Sequence, residues 1–508
     1  MSQTEQETRS TNLSFLGRSA TLNSLFTLEG GAGFLLDLVV AAAFGLSVQS
    51  DALYAAWMLP QAVGRGMFQG LTNSFMGLFV DREDHTEAYN QAITFITLLA
   101  LPLAGILSVT SSWWLPLTIP ATTLQTKLTA IPLARILAWI VGFSALAETF
   151  RAAHYQEGCW WLPSLARLVE TSVVIGLVLA TGQEKSLMLI AWGLMIGTGL
   201  EALIGFIGLH LVLGVKYRPL WPAKDKLQEM ATMVGIPLVG QSILVLVGMG
   251  ERALASLLPP GSITAITYAN RIINTLERFV FRGFVISTVH MYPSEGENSL
   301  RAHFRLMILI SIPIITVFSV LPHPLVAAVF GRGSFTSTDV QALAMVLQMY
   351  APAILGIALT RIPFGLAYAK KRVDVILGFF IMFSTTLLPT EALFIHLGLG
   401  LRTFGLSYAL AISMAFVWLY STLLRSQGRY VWTWPDSVQL LAVGLSTLTG
   451  TALLVSLIGQ WETGSPWSDW CTLAAGLSSC GLFIIAASYA LKLDEARQLL
   501  RIVKGLRS

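Results

Sequence analysis

From residue 21 onward the chain alternates long apolar runs with short polar punctuation. A bilayer core of ~30 Å needs ~20 helical residues to cross it. Runs of that length fall at 21–45, 51–80, 90–114, 127–149, 160–182, 187–213 and 229–257. They continue at 262–292, 302–330, 338–368, 373–397, 401–424, 437–459 and 470–491. The pattern predicts an all-α, polytopic membrane protein of about fourteen transmembrane helices. The longer runs are expected to tilt or to extend past the membrane. Gly30-Gly31 and Pro60 interrupt two of them. Such breaks are tolerated where the backbone faces protein or a wet cavity.

Composition agrees. Of 508 residues, 54% are hydrophobic and 12% charged, against roughly 25% charged in soluble domains. Residues 1–20 lack an apolar h-region, so no cleavable signal peptide is expected. Cys159, Cys471 and Cys480 show no metal or redox spacing and read as small apolar residues. The sequence has no GxxxxGK[ST], HExxH or GxSxG motif. The longest loop, around 214–228, is about fifteen residues. The chain is therefore expected not to be an enzyme, and to use no cofactor, metal or nucleic acid. Transport would draw on an ion gradient, the membrane potential or the substrate's own gradient.

Lys and Arg in the connections set orientation. With the N-terminus in the cytoplasm, twenty of the 32 Lys and Arg fall in cytoplasmic segments, Arg151 among them. Four, Lys127, Lys185, Arg332 and Arg402, fall on the opposite side. Both termini are thus expected to be cytoplasmic. The tail 492–508 reads as a basic amphipathic helix, with Arg497, Arg501 and Lys504 at i, i+4, i+7. It suits the anionic inner leaflet.

Eight arginines remain within the spans: Arg65, Arg135, Arg167, Arg252, Arg271, Arg278, Arg282 and Arg361. Glu29, Asp37, Glu148, Glu170, Glu201, Glu251, Glu277 and Glu391 accompany them. A charge at mid-bilayer costs roughly 2.5–3.5 kcal/mol, so most must face one another or water. Arg271, Arg278 and Arg282 lie at i, i+7, i+11, within about 20° of one direction on a helix. With Asn274 and Thr275 they form a polar stripe ~16 Å long. Arginine binds phosphate bidentately and keeps its charge, so the stripe suits a phosphate-bearing substrate. The alternative for Arg278 and Arg282 is snorkelling from the cytoplasmic end, with Glu277 placed to neutralise a neighbour. Asp37, Glu251 and Arg252 are gating or ion-pair candidates. Arg167 and Glu170, at i, i+3, are expected to satisfy each other.

A duplication is also visible. Asp51-Ala-Leu-Tyr54-Ala55 in the second span and Ala265-Ile-Thr-Tyr268-Ala269 in the eighth align at a shift of 214 residues. This fits two six-helix lobes, an N-lobe over 21–213 and a C-lobe over 229–424, with two further helices at 437–491.

Several segments resemble the MurJ/MviN lipid II flippases of the multidrug/oligosaccharidyl-lipid/polysaccharide exporter group. They are Gly33-Phe34-Leu-Leu-Asp37, Ser50-Asp51-Ala52-Leu53-Tyr54 with Leu59-Pro60, Thr267-Tyr268-Ala269-Asn270-Arg271, and Val329-Phe330-Gly-Arg-Gly333-Ser-Phe335-Thr336. The resemblance covers most of the chain. It implies a flippase with two lobes around a cationic cavity that opens alternately to each side of the bacterial cytoplasmic membrane. The implied cargo is an undecaprenyl-diphosphate-linked saccharide, lipid II in peptidoglycan synthesis, with the last two helices as a groove for its lipid tail. Arg271 matches a cavity arginine of the family, Asp51 an acidic position and Arg65 an arginine of the second-span motif. Substrate-contact candidates are therefore Arg271, Arg65, Asp51, Asn274, Arg278 and Arg282. The sequence departs from the family pattern at Gly30, Leu36 and Gly64, where arginine or Ser-Arg is usual, and at Asn274, where an acid is usual.

Other readings stand beside this one. The cargo could be an exopolysaccharide or O-antigen repeat unit on the same kind of lipid. A non-transporting scaffold, with cell-envelope synthesis proteins as partners, is a different class. A cation antiporter would need a net acidic cavity, and a glycosyltransferase would need acidic residues on a large outer loop that the sequence lacks.

Overall fold

The computed structural model describes residues 30–68, 72, 75, 79, 85–180, 186–281, 297–370, 372–423, 434–459 and 466–491. The tails 1–20 and 492–508, the amphipathic helix expected in the latter, and Arg282 lie outside these residues, and so does the side chain of Arg278. The described residues are almost wholly helical. In chain order the helices are α1 (Gly30–Phe44), α2 (Val48–Gln61), α3 (His85–Val109), α4 (Ser111–Thr118), α5 (Leu124–Leu137) and α6 (Trp139–Gln156). Then follow α7 (Trp161–Ala180), α8 (Leu187–Leu211), α9 (Lys224–Ala255), α10 (Ser262–Leu276), α11 (Glu297–Val320) and α12 (Pro322–Phe330). The last are α13 (Ser337–Ala369), α14 (Val373–His396), α15 (Arg402–Leu423), α16 (Trp434–Gly459) and α17 (Pro466–Ala490). A π-helical turn follows α2 at Ala62–Met67 and another follows α10 at Glu277–Phe281.

Each of the fourteen predicted stretches overlaps at least one of these helices. Among the described residues, ten spans are long and apolar enough to cross a membrane, with α5 and α6 running together as Leu124–Gln156. The four stretches outside that set are α1, α2, α9 and α10. Three of them are short, with α2 at 14 residues and α10 at 15 and α1 in the same class, and the four carry Asp37, Asp51, Glu251, Arg252 and Arg271.

The chain forms two compact units, Met1–Pro260 and Gly261–Ser508. In the first, α9 packs against the Ala62–Met67 turn, α4 and α2. Sequence reasoning grouped that helix with the second lobe. A capping box starts α2: Ser50 N donates to Ser47 Oγ (3.3 Å) and Ser47 N donates to Ser50 Oγ (2.9 Å). Pro60 near its end offers no N–H and crowds the preceding turn, and the ladder widens directly after it into the π-turn. Small residues let α8 lie close to its neighbours. A Cβ on Gly197 would stand 2.8 Å from Glu170 O on α7, and one on Gly205 would stand 2.9 Å from Phe150 Cβ on α6.

In the second unit α13 packs on α15 and α11, while α16 and α17 pair and rest on α11. The motif after the ninth predicted span proves structural. Tyr268, Phe330 and Phe335 form a buried aromatic group, with ring centroids 5.2, 6.4 and 5.7 Å apart. Gly333 takes φ +64° in the turn between the two phenylalanines, a conformation glycine adopts without strain. Thr336 and Asp339 then cap α13 reciprocally: Thr336 N donates to Asp339 Oδ2 (2.9 Å), and Asp339 N donates to Thr336 Oγ1 (3.3 Å).

Candidate functional site

The densest polar constellation lies inside the first unit. The π-turn after α2 delivers Arg65 into a bundle formed by α6, α7 and α8. Gly64 permits this approach, because a Cβ there would stand 3.2 Å from Val141 Cα and 3.3 Å from Ile140 O. Arg65 Nη2 donates to Glu170 Oε2 and also to Glu201 Oε2, the latter at 3.1 Å. Arg151 Nη2 donates to the other Glu201 oxygen, Oε1, at 3.1 Å. Its Nε lies 3.6 Å from Glu148 Oε2, and Arg167 Nη1 lies 3.8 Å from Glu148 Oε1. Two hydroxyls complete the set. Thr72 Oγ1 donates to Glu148 Oε2 at 2.6 Å, and Thr198 Oγ1 donates to Glu170 Oε1 at 2.9 Å.

Three arginines thus face three glutamates. Arg151, Glu148 and Glu201 have side chains no more than 5% exposed. Burying a charge is tolerated when it is paired and hydrogen-bonded, and strongly destabilising otherwise. Every charge in the cluster is paired and the formal charges cancel, while the buried Arg151 Nε makes no hydrogen bond. Three sequence expectations meet this finding. Arg65, a substrate-contact candidate, is engaged by two carboxylates. Arg167 and Glu170 turn to different partners rather than to each other, since α8 at Gly197 brings Glu201 and Thr198 beside Glu170. Arg151, counted with the cytoplasmic loops, is a buried member of α6, one turn from its end. The signals that mark the cluster are Glu148 and Arg151 at i, i+3, and the Gly193, Gly197, Glu201, Gly205 series at i+4 spacing, which makes one close-packing face.

The remaining candidates of this unit lie on α1, α2 and α9. Asp37 accepts a hydrogen bond from the Tyr54 hydroxyl at 3.1 Å and is 1% exposed. Asp51 is buried in the first turn of α2, where a carboxylate suits the helix dipole. Glu251 is buried near the end of α9. Its neighbour Arg252 donates from Nη1 to Gly248 O at 3.1 Å.

In the second unit, α10 buries Ala265, Tyr268 and Ala269 and keeps Thr267, Arg271 and Asn274 less covered. Those three stand at i, i+4, i+7, one face of the helix. Arg271 is half-buried and Asn274 exposed. Beside them Tyr350 of α13 donates its hydroxyl to Asn270 Oδ1 at 2.8 Å. At the start of the second π-turn, Glu277 Oε1 accepts from Arg361 Nη2 of α13 at 2.8 Å. Glu277 therefore neutralises an arginine of another helix rather than its sequence neighbours alone. Among the described residues no group of His, Cys, Asp and Glu is arranged to hold a metal ion.

The internal repeat has a structural counterpart. Ser47 and Gly261, the N-caps of α2 and α10, are 214 residues apart, and so are Met67 and Phe281, which end the two π-turns.

Comparison with known proteins follows the same lines. The chain is 23% identical over 483 residues to a probable lipid II flippase MurJ of Buchnera aphidicola subsp. Schizaphis graminum, covering 90% of this chain and 93% of the relative. It is 24% identical over 381 residues to a lipid II flippase MurJ of Burkholderia cenocepacia, covering 70% and 73% respectively. Among solved structures, a lipid II flippase MurJ in an inward closed conformation matches with a TM-score of 0.76 at 16% identity, over 93% of this chain and 99% of that one. An inward-facing multidrug resistance MATE transporter matches at 0.65 and 15% identity, over 78% and 95%. These structural likenesses establish a shared fold. A family model for the lipid II flippase MurJ spans residues 40–471, and the chain belongs to that family.

Proposed function

We propose that this protein translocates an undecaprenyl-diphosphate-linked saccharide of the lipid II type across the bacterial cytoplasmic membrane by alternating access. Family membership supports the class of cargo. The observation that carries the reading within this chain is the Arg271 face of α10. It is a guanidinium and an amide on the less covered side of a helix whose opposite side is packed. Arg271 and Asn274 are the diphosphate contacts in this reading, and Arg278 and Arg282 follow at i+7 and i+11 in the sequence. Arg65 holds the first unit together and meets no cargo. Asp51 shapes α2, while Asp37, Glu251 and Arg252 fix α1 and α9. The α16–α17 pair leaves Leu441, Leu445, Leu453 and Leu482 exposed, apolar area suited to a polyprenyl tail. Both termini are cytoplasmic in this reading, with cell-envelope synthesis proteins as partners.

The test is rescue of cells depleted of their lipid II flippase. The wild-type chain should restore growth, and Arg271→Ala should not, although it inserts and accumulates normally. Correct insertion of the wild type without rescue sinks lipid II as cargo. Rescue by Arg271→Ala sinks the α10 contact.

A further inference from the structure

Arg135 stands outside every pair described above. It is exposed on α5 and, among the described residues, meets no carboxylate. It borders a cavity of about 320 Å³ that is otherwise lined by Ile136, Trp139, Phe143, Trp192 and Met195. Arg135, Trp139 and Phe143 succeed one another at i, i+4, i+8, so they form one ridge along α5 and α6. Trp192 and Met195, at i, i+3 on α8, make the facing wall. The groove thus has one charged end and aromatic and aliphatic sides.

Its depth in the membrane follows from length. Leu124–Gln156 is a span of 33 residues, about 50 Å of helix against a hydrocarbon layer of ~30 Å. About 20 Å therefore projects beyond that layer at the two ends together. Arg135 lies about 16 Å from the Leu124 end. An even share of the overhang leaves its Cα about 6 Å below the boundary, and a guanidinium snorkels over that distance. Trp139 and Phe143 lie progressively deeper.

We propose that this groove holds an anionic phospholipid, with its phosphodiester on the Arg135 guanidinium and one acyl chain along Trp139 and Phe143. Charge selects the occupant. One guanidinium balances one monoanionic phosphodiester. A polyprenyl diphosphate brings more negative charge than a single arginine neutralises, so the cargo's own head is not the fit. A seated lipid ties α5 and α6 to α8; α6 supplies Glu148 and Arg151 to the buried cluster and α8 supplies Glu201, so the lipid stiffens the first unit.

The experiment uses the full chain in nanodiscs and phosphatidylglycerol or phosphatidylcholine carrying a photoreactive acyl chain. Phosphatidylglycerol should label the peptides holding Trp139–Phe143 and Trp192–Met195, and R135Q should lower that labelling about tenfold, the size of one lost charge-assisted hydrogen bond. R135K keeps the charge and should keep most of the labelling, which separates lost binding from lost folding. Met195→Phe keeps the charge, fills the groove and should lower labelling at both peptides. Equal labelling by the two phospholipids, unchanged labelling in R135Q, or displacement of phosphatidylglycerol by equimolar undecaprenyl phosphate each overturns the assignment.

Discussion

Glu201→Gln removes the carboxylate that Arg65 and Arg151 share, each from 3.1 Å. The substitution keeps shape and most hydrogen-bonding capacity, so its effect reports charge. Three arginines then face two glutamates in a site where Glu201 and Arg151 are 5% exposed. Arginine has no accessible neutral form, so the excess charge cannot be lost by deprotonation. Removing one partner of a buried ion pair costs about 3–5 kcal/mol. Spread over a unit of this size, that lowers the thermal midpoint by on the order of 10 °C. Thermal unfolding of the purified protein, followed by tryptophan fluorescence, measures it. The double variant Glu201→Gln/Arg65→Gln restores the charge balance. It should recover about 1–3 kcal/mol relative to the sum of the single losses, as contacting residues do. The reasoning fails if Glu201→Gln melts with the wild type while Arg65→Gln abolishes rescue at an unchanged midpoint. That outcome would make Arg65 a cargo contact and the cluster incidental.

Other expectations follow from individual contacts. Gly197→Ala puts a Cβ 2.8 Å from Glu170 O, forces α7 and α8 apart, and should cost about 1–3 kcal/mol in the same melting assay. Tyr89→Phe removes the 2.6 Å hydrogen bond from the Tyr89 hydroxyl to Glu157 Oε1. That bond, helped by His85, holds the Glu157 carboxyl below its ordinary value of 4.5. The contact therefore stabilises the fold above about pH 4.5 and fades as the pH falls below it. The melting difference between wild type and Tyr89→Phe should be about 1 kcal/mol at neutral pH and should shrink toward zero in acid. Arg361→Gln leaves Glu277 without its 2.8 Å partner. It should impair rescue more than Arg361→Lys, which keeps the charge, as complementation at equal expression would show.

Span positions were legible because each span writes its own signal: twenty or so apolar residues with polar ends. The polar network of the first unit was not, because its partners are remote. Arg65 reaches Glu170 across 105 positions and Glu201 across 136, and helix periodicity relates only residues one or two turns apart. Arg167 and Glu170 were paired by that local rule. Tertiary packing overrode it once Gly197 let α8 approach. Arg151 was misplaced for a related reason. An arginine at the end of an apolar window counts as a topology signal, yet α6 continues to Gln156 and buries it. In the second unit the aromatic motif was visible as residues but not as a cluster. Tyr268 meets Phe330 and Phe335 only after α11 and α12 have folded back.

The repeat sharpens what the two units do with charge. Both contain the same device, a helix that runs into a π-turn, at a spacing of 214 residues. At that shift Gly64 corresponds to Arg278 and Arg65 to Phe279, so the arginine sits one position later in the first copy than in the second. One position in such a turn rotates a side chain by about a quarter of a circle. In the first copy that rotation points the guanidinium at Glu170 and Glu201 inside the bundle, and Gly64 clears the way. In the second, position 278 follows Arg271 by seven residues in the sequence. In the reading proposed here, the same turn stitches a bundle together in the first unit and extends the Arg271 face in the second. Transplanting the register tests this: Gly64→Arg with Arg65→Phe should abolish the stitch and collapse the melting midpoint. A midpoint that survives the exchange would show that the position of the arginine within the π-turn does not decide its partner.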